Sequence, residues 1–245
     1  YRIEEPGLGE IQTAVTSLEP FQAYIVRAYG INEIGTFYSE PDTLTSLPFA
    51  GEGTSASPYF VSSPKELFFL SQVDTMWDRH YLQTAEIEIP DSFYTIDGLM
   101  YDAGAFFRPI GNETTPFTGH YDGDKYVIRN LQINRPSEDF VGLFGYTDGA
   151  LIEKVGVVGA TIQAKDFAGV VVGYMDKTGG DSGDTLRSSF SDRSTIQGNN
   201  NIGGLVGKVN ESAVIVDSYS KAAVTGNESV GGLVGYSHHR SGTPN

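Results

Sequence analysis

One short pattern recurs along the second half of this chain and limits what it can fold into. Ile202-Gly203-Gly204-Leu205-Val206-Gly207 returns almost letter for letter as Val230-Gly231-Gly232-Leu233-Val234-Gly235. Two looser copies precede it, Val141-Gly142-Leu143-Phe144-Gly145 and Ala168-Gly169-Val170-Val171-Val172-Gly173. Counted at the last glycine of each box (Gly145, Gly173, Gly207, Gly235), the spacings are 28, 34 and 28 residues. A period of this size points to one structural unit per repeat, because a lone unit cannot bury its apolar side and neighbours must stack to do so. No 3.6-residue periodicity runs through these segments, which excludes helical repeats.

A second periodic anchor is expected at Ile128, Ile152, Leu186 and Ile215. Each is followed three residues on by a short run: Leu131-Gln132-Ile133, Val155-Gly156-Val157, Ser189-Phe190-Ser191 and Ser218-Tyr219-Ser220. A third strand is expected near Ala160-Thr161-Ile162, Ser194-Thr195-Ile196 and Ala223-Val224-Thr225. Short β-branched runs cut by Gly, Asn, Asp and Ser read as strands joined by tight turns. Stacking would set Leu143, Val171, Leu205 and Leu233 in one row and Phe144, Val172, Val206 and Val234 in the next. The box glycines suit positive φ or close backbone approach at corners. A glycine-rich strand in a sandwich would show no second anchor in register.

Gly142-Leu143-Phe144-Gly145, Gly204-Leu205-Val206-Gly207 and Gly232-Leu233-Val234-Gly235 resemble the GLUG repeat of bacterial surface and adhesin-like proteins and of some IgA-specific metallopeptidases. The second copy departs, with Val170 in place of the first glycine. The resemblance implies an all-β, right-handed parallel β-helix at residues 128–245, at an extracellular or cell-surface location. Upstream, the run from Leu18 to Gly35 resembles the C-terminal half of a fibronectin type III domain, with Tyr24 as the tyrosine-corner residue. That implies part of an antiparallel β-sandwich over residues 1–46, serving as a spacer or binding module.

Residues 47–57 read as a linker and residues 58–127 as the cap and first coils. Ser63-Pro64-Lys65-Glu66 predicts a helix start with Ser63 as N-cap and Glu66 closing a capping box, and Leu67, Leu70 and Val73 on one face. Such a helix would cover the open first coil. Tyr81 to Ile89 reads as one alternating strand, residues 90–108 as an irregular insertion, and Asp122-Gly123 as a turn between two strands. The chain stops where a further coil should begin, so a longer protein is expected.

Net charge is −15, which argues against nucleic acid and anionic membrane surfaces as partners. There is no cysteine, hence no disulfide or thiolate metal site. No His-Glu-x-x-His motif occurs, and His80 and His120 stand apart in the sequence, so no transition-metal site is expected. Asp122 with Asp124, and Glu86 with Glu88, are the carboxylate pairs a glycan-cleaving site would need, but no matching row of Arg or His accompanies them. The acidic loop with Asp176, Asp181 and Asp184 lengthens the 34-residue repeat and could supply oxygen ligands to calcium; no other cofactor is expected. Tyr146, Tyr174 and Tyr236 each follow a box, and a tyrosine ladder could hold sugar rings or simply brace the repeats. The favoured reading is a non-catalytic structural or adhesive segment whose rigid acidic face meets a host or cell-surface glycan or protein. A carbohydrate-binding module and a glycan-cleaving enzyme are the alternatives.

Overall fold

The computed structural model describes residues 23–176, 183–210 and 212–238. Backbone contacts divide the chain into two units, residues 1–49 and 50–245. In the first, β1 (Ala23–Val26), β2 (Tyr29–Asn32), β3 (Gly35–Tyr38) and β4 (Asp42–Thr45) form two antiparallel pairs, β1 with β4 and β2 with β3. The single strand expected over Tyr24–Tyr29 is therefore two. The chain breaks at Ala28, whose N–H is taken by Ser39 Oγ at 3.0 Å. The strand expected at Ile11–Val15, and the Leu18 and Pro20 on which the tyrosine corner at Tyr24 depends, lie outside the described residues.

The second unit opens with β5 (Tyr59–Val61), the helix α1 (Pro64–Gln72), β6 (His80–Gln83) and β7 (Ile87–Glu88). The predicted N-cap is present, with Glu66 N donating to Ser63 Oγ at 3.4 Å, while the Glu66 carboxylate accepts from Ser62 N at 2.6 Å, one residue ahead of the N-cap expected in the box. Leu67 and Leu70 are buried as expected, whereas Val73 falls just past the helix end. The alternating strand expected over Tyr81–Ile89 is two short strands in different sheets. The stretch after it holds no strand over residues 90–108, and it packs into the unit through the buried Tyr94, Met100 and Phe107.

Four rungs follow among the described residues, and they visit the same sheets in the same order, save one sheet that begins only in the second rung. The first holds β8 (His120–Asp122), β9 (Val127–Arg129), β10 (Gln132–Arg135) and β11 (Phe144–Asp148). The second holds β12 (Leu151–Glu153), β13 (Gly156–Val158), β14 (Thr161–Ala164), β15 (Asp166–Gly169) and β16 (Val172–Asp176). The third holds β17 (Thr185–Arg187), β18 (Phe190–Gln197), β19 (Asn200–Gly203) and β20 (Val206–Val209). The fourth holds β21 (Val214–Val216), β22 (Tyr219–Thr225), β23 (Glu228–Gly231) and β24 (Val234–Ser237). Every strand pairs in parallel with its counterpart one rung away, giving the sheets β5-β6-β8-β12-β17-β21, β11-β16-β20-β24 and β15-β19-β23, plus a seven-stranded sheet. In the last, β18 and β22 are each long enough to span two positions, bent at Asp192/Thr195.

The glycine boxes lie in register as the repeat required. Phe144 pairs with Val172, Val172 with Val206 and Val206 with Val234. Leu143, Val171 and Leu205 are fully buried, and Leu233 in the fourth rung is 36% exposed. Burial at roughly 25 cal/mol per Å² of apolar surface makes these rows the main stabilising contribution. The box-final glycines answer to close approach and not to positive φ. A Cβ on Gly207 would stand 2.4 Å from Ala168 N and 2.5 Å from Gly173 O, too close for any side chain. The left-handed corner ahead of each box is instead carried by Phe140, Phe167, Asn201 and Ser229.

The second anchor row is corrected at its first member. Ile152, Leu186 and Ile215 do pair in sequence, but their partner below is Tyr121 and not Ile128. Ile128 pairs with Val157, one sheet further on. Likewise the run at Gln132-Ile133 belongs beside Thr161-Ile162, in the third-strand row. The slip arises because Ile128–Leu131 and Ile152–Val155 share one spacing, while an aromatic ring fills the true anchor site. Tyr81 and Tyr121 stack in this row at 6.4 Å between centroids, so it changes from aromatic to aliphatic as it rises.

Candidate functional site

Strand alternation points Tyr121, Ile152 and Leu186 into the core and sends their neighbours to the other face. On β8, β12 and β17 those neighbours are His120, Asp122, Glu153 and Arg187. Register sets Asp122 beside Glu153 and Glu153 beside Arg187, while His80 on β6 lies beside His120. Parallel strands stand about 4.8 Å apart, so residues distant in sequence become side-chain neighbours.

Glu153 is the centre of this group, with its side chain only 8% exposed. Its Oε1 lies 2.8 Å from His120 Nε2. Its Oε2 accepts from Arg187 at 2.9 Å from Nε and 2.8 Å from the terminal nitrogen. Lys154 turns the following corner with a φ of 54°, and its Nζ donates to Asp122 Oδ2 at 2.7 Å. That hydrogen bond, with the charges of Asp122 and Glu153, raises the Lys154 pKa against the opposing effect of burial. The rings of His80 and His120 meet edge to face at 5.5 Å. Two carboxylates, two imidazoles and two cations thus converge on one patch, an arrangement able to bind a cation or to exchange protons with a ligand.

These contacts correct three expectations. His80 and His120, forty positions apart, are neighbours and not isolated. Asp122 does have a companion row of basic residues in Lys154, His120 and Arg187. The turn expected after it is present between β8 and β9, where Tyr126 N donates to Gly123 O at 2.9 Å, and it joins strands of different sheets. Glu86 and Glu88 have a cation too, Arg129, at 3.7 and 3.9 Å. The missed signal was register: setting Tyr121 level with Ile152 and Leu186 aligns Asp122, Glu153 and Arg187 at once.

The two described acidic residues at the ends of this loop are held by the protein's own donors. Asp176 and Asp184 are buried and their oxygens are met by protein donors. Asp176 accepts from Tyr146 Oη, from Asn210 Nδ2 at 2.6 Å and from Tyr174 Oη at 3.3 Å. Asp184 accepts from Thr147 Oγ1 at 2.5 Å and Ala150 N at 2.7 Å, so it clamps the end of β11 to the chain entering β12. Burial pushes the Asp184 carboxyl up to about 7. Asp181 lies outside the described residues. The extra residues of the long repeat do fall here, since Asp148 pairs with Asp176 and Leu151 with Thr185.

The tyrosines form no flat ladder. Tyr146 is 7% exposed and meets Tyr174 edge-on at 4.9 Å, so it offers no open face to a sugar. Burial and Asp176 push the Tyr174 hydroxyl up to about 12. Lys208, which pairs with both Tyr174 and Tyr236, sits 4.7 Å over the Tyr174 ring and 5.9 Å from that of Tyr236. Tyr236 itself is 40% exposed.

No protein-family model matches the chain. It is 35% identical over 189 residues, 76% of its length, to halomucin of Haloquadratum walsbyi, and spans 2% of that protein. It is 25% identical over 158 residues, 64% of its length, to a protein of Evansella cellulosilytica provisionally named a Gly-rich membrane protein, of which it spans 17%. A crystal structure from Bacteroides ovatus, provisionally named an immunoglobulin A1 protease, superposes with a TM-score of 0.53 at 19% identity, over 78% of this chain and 65% of that one. At that identity the likeness concerns the fold. It nonetheless corrects one expectation: a fold read from sequence as non-enzymatic occurs in a protein named as an enzyme, so the absence of enzymatic function does not follow.

Proposed function

We propose that residues 50–245 are a segment of a much longer cell-surface or secreted protein, in which a right-handed parallel β-helix of GLUG type holds a rigid acidic face toward a glycan or protein partner. The observation that carries this reading is the in-register parallel pairing of successive rungs, four deep at the glycine boxes. A rod of this kind keeps a fixed outer surface at little conformational cost on binding. Right-handedness follows the strong preference of parallel crossovers for that hand. The small share of each sequence relative that this chain spans supports a repeat-bearing piece of a large protein, and the name of the Evansella relative supports an association with a membrane. The antiparallel strands of residues 23–45 serve as a fibronectin-like spacer. A net charge of −15 disfavours nucleic acid as the partner. Among the described residues no helix is long and apolar enough to cross a membrane.

The test is antibody labelling of intact source cells and culture medium with serum raised against residues 50–245. Labelling of whole cells or of secreted protein is expected. Signal seen only after permeabilisation would overturn the proposal.

A further inference from the structure

Going beyond the surface role, we infer that His120, Asp122 and Glu153 bind a divalent transition metal ion of the zinc class. One ligand atom from each lies within 4.8 Å of the other two, the only such trio among the described residues. Two features separate it from a surface ion-pair network. First, the donor set is mixed: an imidazole nitrogen with two carboxylates suits zinc-class ions, whereas calcium and magnesium take oxygen alone. Second, the carboxylate at its centre is already oriented. Arg187 grips Glu153 through Oε2 and leaves Oε1 facing His120 Nε2 at 2.8 Å. A metal ion bridging those two atoms would take the place of the shared proton once they part to about 3.3 Å, the ligand spacing of a tetrahedral ion with bonds near 2.0 Å, and Arg187 would stay behind the ligand as the partner that fixes it.

Asp122 is the third ligand and is held in reserve by Lys154. The lysine is a third exposed and sits on a flexible stem, so it can swing to solvent and release Oδ2. His80, edge-on to His120 on the neighbouring strand, borders the site and offers a second imidazole. The residues come from different rungs, so this site exists only when the rungs are stacked. Metal binding would therefore hold neighbouring rungs together.

The test is calorimetric titration of the 245-residue chain with Zn²⁺, alongside Co²⁺ absorption spectroscopy. One saturable site is expected, with the visible bands of a low-coordinate cobalt centre. His120→Ala and Glu153→Gln should each weaken Zn²⁺ at least about tenfold while far-ultraviolet circular dichroism is unchanged. Lys154→Met should tighten it, because Asp122 loses its competing partner; a merely structural salt bridge predicts no such gain. If Glu153→Gln does not fold, His120→Ala and Lys154→Met decide alone. Absence of saturable binding would sink the inference. So would binding lost only on replacing His238 and His239, or a Lys154→Met chain that binds no more tightly.

Discussion

Two sheets of the same stack treat repetition in opposite ways. In β11-β16-β20-β24 the aligned residues are Phe144, Val172, Val206 and Val234, all apolar and, in the first three rungs, fully buried. In β8-β12-β17-β21 one aligned row reads Asp122, Glu153, Arg187 and Val216, two carboxylates followed by a guanidinium and then an aliphatic side chain. The first row packs against copies of itself, so each rung imposes the same demand on the next and the letters recur. The second faces outward, where stacking requires nothing of the side chain. That freedom lets adjacent rungs supply complementary groups to one patch. Recurrence in a repeat protein thus marks the packing face, and departure from it marks where a site can be assembled.

The sharpest way to break this contrast is to empty the apolar row. Phe144 is fully buried, with ring centroids 4.9 Å from Phe117 and 5.5 Å from Tyr121. Phe144→Ala should cost about 3–5 kcal/mol in chemical denaturation, by loss of transfer energy and the cavity left behind. A cost below about 1 kcal/mol would mean that the row is not what holds the rungs.

The junction between the two sheets is read by pH. Burial gives Asp184 a folded pKa of about 7, above its unfolded value. Between about pH 4 and pH 7 the folded chain therefore retains a proton that the unfolded chain has released. Stability from this group falls as pH rises across that window and is level outside it. Asp184→Asn should remove the slope, and its stability relative to the native chain should rise by up to ~4 kcal/mol between pH 4 and pH 8. An unchanged slope would place the titration elsewhere.

Within the charged row the effects shrink. Arg187→Ala leaves a nearly buried carboxylate short of a donor, but Arg187 is half exposed, so about 1 kcal/mol is expected. A double-mutant cycle with Glu153→Gln should recover most of that loss as coupling. Smallest of all, Val216→Glu extends the row beside Arg187 at a position 42% exposed and should change stability by under ~0.5 kcal/mol. A large change there would erase the distinction between the two sheets.

Which parts were legible in the sequence follows from the same physics. The box register was readable because Leu143, Leu205 and Leu233 meet the same wall at each level. The α1 start was readable because Ser63 and Glu66 act within one turn of chain. The first rung was misphased because Tyr121 occupies a site that later rungs fill with Ile152 and Leu186, and aromatic and aliphatic side chains serve the core equally well. The acidic loop looked like a ligand cage because a carboxylate's partners are invisible in sequence. Tyr146 and Thr147 of β11, and Asn210 just past β20, engage Asp176 and Asp184 from other rungs.

By itself, then, the sequence determined that this chain is built of stacked β units with an apolar row at each glycine box, since local spacing and burial dictate both. Tertiary structure alone decided which polar groups meet. His80, the His120–Asp122 pair, Glu153 and Arg187 are strangers along the chain. They become neighbours only because parallel pairing, at under 5 Å per rung, converts a sequence separation of thirty or forty residues into the width of one strand.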